Sequence, residues 1–123
     1  MKLLIVDDSS TMRRIIHNAL SSLDADMEDA ADGIEALAHL GNSPMGYDLV
    51  LLDWNMPNKN GFETLTAIKA DPSLAAIPVV MVTTEAERAQ VVKAIQAGAC
   101  QYVTKPFEPE TLVEKVNKAL GKV

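Results

Sequence analysis

Hydrophobic residues follow two alternating patterns along the chain: short unbroken runs, and longer segments with helical spacing. The runs Leu3–Val6, Leu49–Leu52 and Val79–Val82 contain no polar residue, which is typical of strands covered on both faces. A further strand is predicted at 101–104, and the alternation of elements requires a weaker one at 27–30. The pattern therefore predicts five strands.

The segments between and after these strands carry apolar residues every three or four positions, as amphipathic helices do. Asp32, Asn60 and Thr84 are candidate N-caps, each followed by glutamate three residues later. Gly41–Pro44 and Asp71-Pro72 predict helix ends, and Pro109 suits the first turn of the last helix. The apolar stripes expected to face inward are Met12, Ile15, Ile16, Ala19, Leu20 and Leu23; Ile34, Leu37 and Leu40; Phe62, Leu65 and Ile68; Ala89, Val92, Ile95 and Ala99; and Leu112, Val116 and Leu120.

Five β-α units in succession predict an α/β fold with a parallel sheet. Right-handed crossovers place helices on both faces of such a sheet, giving a doubly wound sandwich. A closed barrel usually needs roughly 200 residues or more, so 123 residues exclude it. We expect one domain over residues 1–123.

Composition narrows the classes of function. A hydrophobic share of 48% argues against disorder, and a net charge of −6 argues against nucleic-acid or anionic-membrane surfaces. A single cysteine, Cys100, excludes an internal disulfide and fits a reducing compartment. The chain shows neither a transmembrane run nor a signal peptide, so we expect a cytoplasmic protein.

Polar residues that could carry chemistry stand where the predicted strands end. They are Asp7, Asp8, Asp53, Thr83 and Lys105. Parallel strands end at one edge of the sheet, so these side chains should converge there. Clustered carboxylates repel one another unless a cation is present, and hard oxygen ligands suit Mg²⁺. A lysine and a hydroxyl beside them could bind a transferring phosphoryl group, with one carboxylate as the nucleophile. We favour Asp53 as nucleophile because it stands alone at its strand end.

Several short motifs surround these strand ends in a specific order. They are Val6–Arg14 (VDDSSTMRR), Asp53–Pro57 (DWNMP), Gly61, Thr83, Tyr102 and Lys105–Phe107 (KPF). On these motifs the chain resembles the receiver domains of two-component response regulators over essentially its whole length. Among these it is most similar to the single-domain chemotaxis regulators, which share Trp54–Pro57 and the Thr84-Glu85 step. The resemblance implies a flavodoxin-like (βα)5 sandwich with strand order 2-1-3-4-5.

The resemblance also implies residue roles. Asp53 would be the phosphoacceptor. Asp8 and Asp53 would bind Mg²⁺ through side-chain oxygens, Asn55 through its backbone carbonyl, and Asp7 mainly through a water. Lys105 and Thr83 would hold phosphoryl oxygens, Tyr102 would be the rotating aromatic of the switch, and Asn55 and Glu85 would tune the phosphoryl lifetime.

The resemblance further implies a protein whose output is a protein contact. The phosphoryl donor would be a CheA-like histidine sensor kinase. The target would be a FliM-like flagellar motor switch protein, which binds the surface formed by the fourth helix, fifth strand and fifth helix, about residues 85–120. A phosphatase could assist in removing the phosphoryl group. We expect a monomer. The chain would catalyse only its own phosphorylation and slow self-dephosphorylation.

Several alternatives stay open at this point. A single-domain phosphorelay carrier or phosphate sink would use the same site. A Mg²⁺-dependent aspartyl-phosphate phosphohydrolase would need a second carboxylate two residues after the nucleophile, where this chain has Asn55. Arg13 and Arg14 could be merely an exposed pair, and the acids between 24 and 29 a solvated edge. Lys105-Pro106 could be cis, as the resemblance implies, although only ~5–6% of X-Pro bonds are.

Overall fold

The computed structural model describes residues 1–43 and 46–122, and it contains one five-stranded parallel sheet with the order β2-β1-β3-β4-β5. The order predicted from the family resemblance is confirmed. Strands and helices alternate as β1 (Lys2–Val6), α1 (Ser10–Ala19), β2 (Asp26–Ala30), α2 (Gly33–Asn42), β3 (Leu49–Leu52), α3 (Gly61–Ala70), β4 (Val79–Thr83), α4 (Arg88–Gln96), β5 (Gln101–Thr104) and α5 (Pro109–Ala119).

Two hydrophobic cores lie on opposite faces of the sheet, as the doubly wound prediction requires. Alternate residues of a strand point to opposite faces, so β1 sends Leu4 into one core and Ile5 into the other. The first core is covered by α2, α3 and α4, and the second by α1 and α5. The central strands are buried on both sides, which explains their unbroken apolar runs.

The weakly predicted strand at 27–30 is present as β2, the edge of the sheet. Only Ala30 is fully buried among its residues, and Asp26 and Asp29 are exposed. An edge strand has one neighbour and little apolar cover, so its sequence carries few hydrophobic residues. This is why its pattern alone was a poor strand signal.

Two of the three proposed N-caps are confirmed. Asp32 accepts the Glu35 amide at 2.8 Å, and Asn60 forms a complete capping box with Glu63. Thr84 was wrong as a cap: α4 begins at Arg88, with Glu87 at the N-cap position. The predicted helix end at Gly41–Pro44 is met in part by α2, which contains Gly41 and ends at Asn42. Pro44 lies outside the described residues.

The predicted start of α4 fails for a local reason. The Glu85 amide donates to the Thr83 hydroxyl at 3.2 Å, a side-chain turn that competes with helical hydrogen bonding. The chain therefore leaves β4 in a turn, and the N-cap of α4 is Glu87, three residues later than predicted.

Part of the inward helical stripes was also wrong. Ile34 is 58% exposed, and Ile15, Ala89, Val92 and Ile95 lie on outward faces as well. Each helix contacts the sheet through only a narrow part of its surface. In α4, for example, Ala94 is the buried residue. Apolar residues outside that part remain in solvent although they share the helical spacing.

Two further features bear on the sequence predictions. The Lys105-Pro106 bond is cis. Among residues 1–43 and 46–122, no helix has the length and hydrophobicity needed to cross a membrane.

Candidate functional site

Three carboxylates from two adjacent strands converge at the carboxyl end of the sheet. Asp7 and Asp8 follow β1 and Asp53 follows β3, and these strands pair directly. One oxygen of each carboxylate lies within 4.8 Å of the others, with Asp7 and Asp53 buried and Asp8 exposed. The sheet therefore assembles the acidic cluster that the strand ends predicted.

Lys105 supplies positive charge to this cluster. Its ammonium lies 2.6 Å from Asp7 Oδ2 and 3.3 Å from Asp53 Oδ2. Its backbone amide donates to the Thr83 carbonyl at 2.8 Å, which ties the end of β5 to β4. One ammonium thus contacts two buried carboxylates, and the third, Asp8, opens to solvent.

The Asp53 carboxyl group has a raised pKa. Burial is the largest cause; the ammonium of Lys105 and a hydrogen bond from Thr83 act in the opposite direction, and the charge of Asp7 adds to the rise. Asp53 Oδ1 also accepts the Trp54 amide at 2.7 Å. The carboxylate is therefore fixed in place, yet the favourable contacts of its ionised form do not offset the cost of burying the charge.

A chain of hydrogen bonds leads from the site toward the β5 surface. The Thr83 hydroxyl accepts the Glu85 amide, and the Glu85 carbonyl accepts the Tyr102 hydroxyl at 2.6 Å. Burial and the charges of Glu85 and Asp53 raise the pKa of Tyr102. The Tyr102 ring is half-buried and packs against the core under α2, α3 and α4, as a strand aromatic would.

The loop after Asp53 folds back closely on the end of β3. The Gly61 amide donates to the Trp54 carbonyl at 2.8 Å, and a Cβ at position 61 would lie 2.0 Å from the Asp53 carbonyl oxygen. Only glycine permits this approach. The loop leaves Asn55 exposed two residues beyond Asp53.

The donor set fits a hard divalent cation. Carboxylate oxygens are the ligands that Mg²⁺ uses in proteins, and an exposed position beside them leaves room for the waters it retains. Burial and the nearby charge of Asp7 disfavour the ionised form of Asp53, and a bound cation would stabilise that form. The geometry therefore suits Mg²⁺ together with a phosphoryl group near Lys105 and Thr83.

The comparison with known proteins decides the family. The model for the response regulator receiver domain matches residues 3–117. The chain belongs to this family.

Similar proteins place this receiver domain among the chemotaxis regulators. It is 48% identical to the chemotaxis protein CheY of Pseudomonas aeruginosa over 126 aligned residues, covering 100% of this chain and 98% of the relative. It is 45% identical to CheY1 of Helicobacter pylori over 122 residues, covering 98% of both chains. The structure of Vibrio cholerae CheY4 superposes with a TM-score of 0.87 at 34% identity, covering 97% of this chain and 98% of that one. The receiver domain is thus a CheY-like response regulator of the two-component type.

Sequence reasoning assigned no role in this receiver domain's site to Arg13. The alternative of an exposed pair at Arg13 and Arg14 holds only for Arg14. The Arg13 guanidinium donates to the Asp7 carbonyl at 2.5 Å and lies 3.3 Å from Asp29 on β2. The missed signal is its position one turn into the helix that follows Asp7 and Asp8.

The acids of β2 behave as the solvated edge that was predicted. Glu28 pairs with Lys2 and His39, and Asp29 with Arg13 and His17. Within residues 1–43 and 46–122, only Asp7, Asp8 and Asp53 form a group of three that could hold a metal.

Proposed function

We propose that this receiver domain is a phosphorylation-activated switch in which Asp53 accepts a phosphoryl group from a phosphohistidine of a CheA-like sensor kinase. The observation that carries the proposal is the buried Asp53 carboxylate at a strand end, flanked by Asp7, Asp8 and Lys105. Aspartate carboxylates are established phosphoryl acceptors.

Mg²⁺ would be held by the side chains of Asp8 and Asp53, by the Asn55 backbone carbonyl and, through a water, by Asp7. When bound, the ion would neutralise the clustered carboxylates and the charge on the phosphoryl oxygens. Asp8 is the one exposed acid of the group, which leaves an entry path for the ion.

The residues of the chain would share the transfer step. A carboxylate oxygen of Asp53 forms the new bond to phosphorus as the bond from phosphorus to the kinase histidine nitrogen breaks. Lys105 lies 3.3 Å from Asp53, and its compact ammonium is suited to bind a phosphoryl oxygen. The buried Thr83 hydroxyl would bind another. Fixed donors aimed at the transferring group need little reorganisation during the step.

The output would be a population shift relayed through Thr83, Glu85 and Tyr102. Engagement of Thr83 by the phosphoryl group competes with its hydrogen bond to Glu85, whose carbonyl holds the Tyr102 hydroxyl. The affected surface comprises α4, β5 and α5, where Val92 and Ile95 are exposed apolar residues. Such residues favour a protein partner, which we propose is a FliM-like flagellar motor switch protein.

Asn55 and Glu85 would set the phosphoryl lifetime, with slow self-dephosphorylation and a phosphatase ending the signal. We propose that the protein acts as a cytoplasmic monomer. A phosphorelay carrier or phosphate sink would use the same chemistry without a phosphorylation-dependent target. A phosphohydrolase finds no support, since Asn55 cannot act as a general acid.

Trp54 provides the test of the metal site. As the only tryptophan, next to Asp53, it should change its fluorescence with millimolar Mg²⁺. The change should vanish in Asp53→Ala and persist in Glu28→Gln, which removes a charge on β2. A wild-type protein that does not respond to millimolar Mg²⁺ would overturn the metal assignment.

Phosphotransfer tests the acceptor and the target together. Radiolabel from candidate phosphorylated kinases should reach wild type and not Asp53→Asn, and phosphorylation should increase binding to the motor switch protein. Labelling of Asp53→Asn at the wild-type level would refute the acceptor. Equal target binding with and without phosphate would favour the carrier or sink.

The decay of the phosphorylated form tests the two rim residues. We expect Asn55→Lys and Glu85→Ala to change its lifetime without preventing phosphorylation. Unchanged decay rates in both variants would contradict their proposed role.

A further inference from the structure

Arg13 connects the acidic site to the edge strand of the sheet. Its Nη1 donates to the Asp7 carbonyl at 2.5 Å, and its Nε lies 3.3 Å from Asp29 Oδ2. The side chain is only 19% exposed, whereas that of Asp29 is 42% exposed. The guanidinium therefore spans from β2 to the peptide that joins Asp7 to Asp8.

This contact acts on the backbone that carries two of the three acids. The orientation of the Asp7-Asp8 peptide determines where both side chains leave the chain, and a part-buried donor on its carbonyl restricts that orientation. From the other direction, Asp7 Oδ1 accepts the Ser9 amide at 2.9 Å. The β1–α1 turn is thus held by β2 through Arg13 as well as by its own hydrogen bonds.

Asp29 is itself held in place. His17 Nε2 lies 2.6 Å from Asp29 Oδ1, the oxygen that does not face Arg13, and Asp29 pairs in register with Ile5 of β1. Arg13 Nε meets Asp29 as an ion pair without a hydrogen bond, and the attraction of opposite charges at this distance holds the guanidinium against β2.

We infer that Arg13, anchored by Asp29, is a positioning residue that keeps Asp7 and Asp8 arranged to bind a divalent cation. This inference rests on the proposed function, because it concerns the same metal site. Residues that orient metal ligands typically change affinity about 10-fold or more when removed.

The sign of the effect separates positioning from charge. A positive side chain near a divalent site repels the ion, so removal of Arg13 would tighten Mg²⁺ binding if charge were its only contribution. Loss of positioning would instead weaken binding. Arg14 is the matched control, because it is the next residue, carries the same charge and is exposed.

The experiment is a Mg²⁺ titration of Trp54 fluorescence in the full chain at one pH. We expect Arg13→Ala to weaken Mg²⁺ binding about 10-fold, and Arg14→Ala to leave it unchanged or slightly tighter. Arg13→Lys, which keeps the charge without the planar fork, should fall between wild type and Arg13→Ala. Binding in Arg13→Ala that equals or exceeds that in Arg14→Ala would overturn the inference.

A second pair of variants covers the case in which Arg13→Ala does not fold. Asp29→Asn removes the anchor and keeps Arg13, and Asp26→Asn makes the same charge change at an exposed position of β2. Only Asp29→Asn should weaken Mg²⁺ binding and speed amide exchange at Ser9 in metal-free protein. Equal Mg²⁺ affinities in the two variants would again contradict the inference. Wild-type protein without a fluorescence response would instead remove the proposed metal site itself.

Discussion

Two groups of acidic residues on this molecule have opposite surroundings. Asp7, Asp8 and Asp53 come from two strands and converge at the carboxyl end of the sheet. Glu28 and Asp29 are neighbours on β2, and successive strand residues point to opposite faces, so their side chains diverge. The acids that are neighbours in the sequence point apart, whereas the acids that are distant in the sequence are brought together by the pairing of β1 with β3.

The two groups also differ in solvent exposure and in the number of basic side chains that contact them. Asp7 and Asp53 side chains are 2% and 10% exposed and share one ammonium, that of Lys105. Glu28 and Asp29 side chains are 41% and 42% exposed, and each contacts two basic side chains. Buried negative charge in excess of its counter-charge marks a ligand site, whereas the density of acids along the sequence does not.

The largest difference should appear when each group loses its lysine. We expect Lys105→Met to lower the free energy of unfolding by about 3 kcal/mol without Mg²⁺, because it leaves two buried carboxylates without a cation. Lys2→Met, beside the exposed Glu28, should cost less than about 1 kcal/mol. Urea denaturation measures both values.

Mg²⁺ provides the control for this comparison. Added Mg²⁺ should restore most of the stability of Lys105→Met and change that of Lys2→Met no more than that of wild type. Equal losses in the two variants, or no recovery with Mg²⁺, would contradict the account of the buried cluster.

A smaller effect is expected from the glycine that lets the loop approach Asp53. Gly61→Ala should destabilise the protein by about 2 kcal/mol, because the added methyl overlaps the Asp53 carbonyl. Gly41→Ala, on the helix that covers β2, meets no atom within 4 Å and should stabilise the protein by about 0.5–1 kcal/mol. Thermal unfolding of the two variants should show shifts of opposite sign; a neutral Gly61→Ala would mean that the loop can move away at little cost.

The smallest effect concerns the β2 group. Tyr47 is buried, and its hydroxyl donates to Glu28. Tyr47→Phe should cost about 1 kcal/mol, the net value of one hydrogen bond. Burial and the charge of Glu28 raise the pKa of Tyr47 to about 12, above its usual 10.0.

The pH dependence of this contact follows from that shift. A tyrosine whose pKa is raised by folding contributes stability below pH 10, and the contribution is lost as the pH rises toward 12. Tyrosinate absorbance should therefore develop late in wild type, and Glu28→Gln should move one transition to lower pH. An unchanged titration in Glu28→Gln would show that Glu28 does not hold the Tyr47 proton.

Much of the fold and of the site could be predicted from local sequence. The unbroken run Leu49–Leu52 requires cover on both faces, and five such units with helices between them leave few arrangements other than a parallel sheet. Because parallel strands end at one edge, the positions of Asp7, Asp53 and Lys105 at their strand ends predicted that they meet.

The helix faces and the start of α4 could not be predicted in the same way. Ile15, Ile34 and Val92 have the spacing of buried residues, yet the arc that touches the sheet is set by how each helix packs on it. Thr84 and Glu87 form a proper cap pattern, but the hydrogen bond between Thr83 and Glu85 takes precedence. The first outcome depends on tertiary packing, and the second on a choice between two local hydrogen-bonding patterns that the sequence allows equally.

Local sequence therefore determined the alternation of elements and the strand-end chemistry, since hydrophobic period and chain direction are properties of neighbouring residues. Tertiary structure decided the partners of the charges. Arg13 and Asp29 lie sixteen positions apart and meet only because β2 pairs with β1, and Lys105 reaches Asp7 only across the sheet. A partner from a distant part of the chain is available only after folding, so the difference between the exposed acids of β2 and the buried cluster at the sheet edge arises in the tertiary structure.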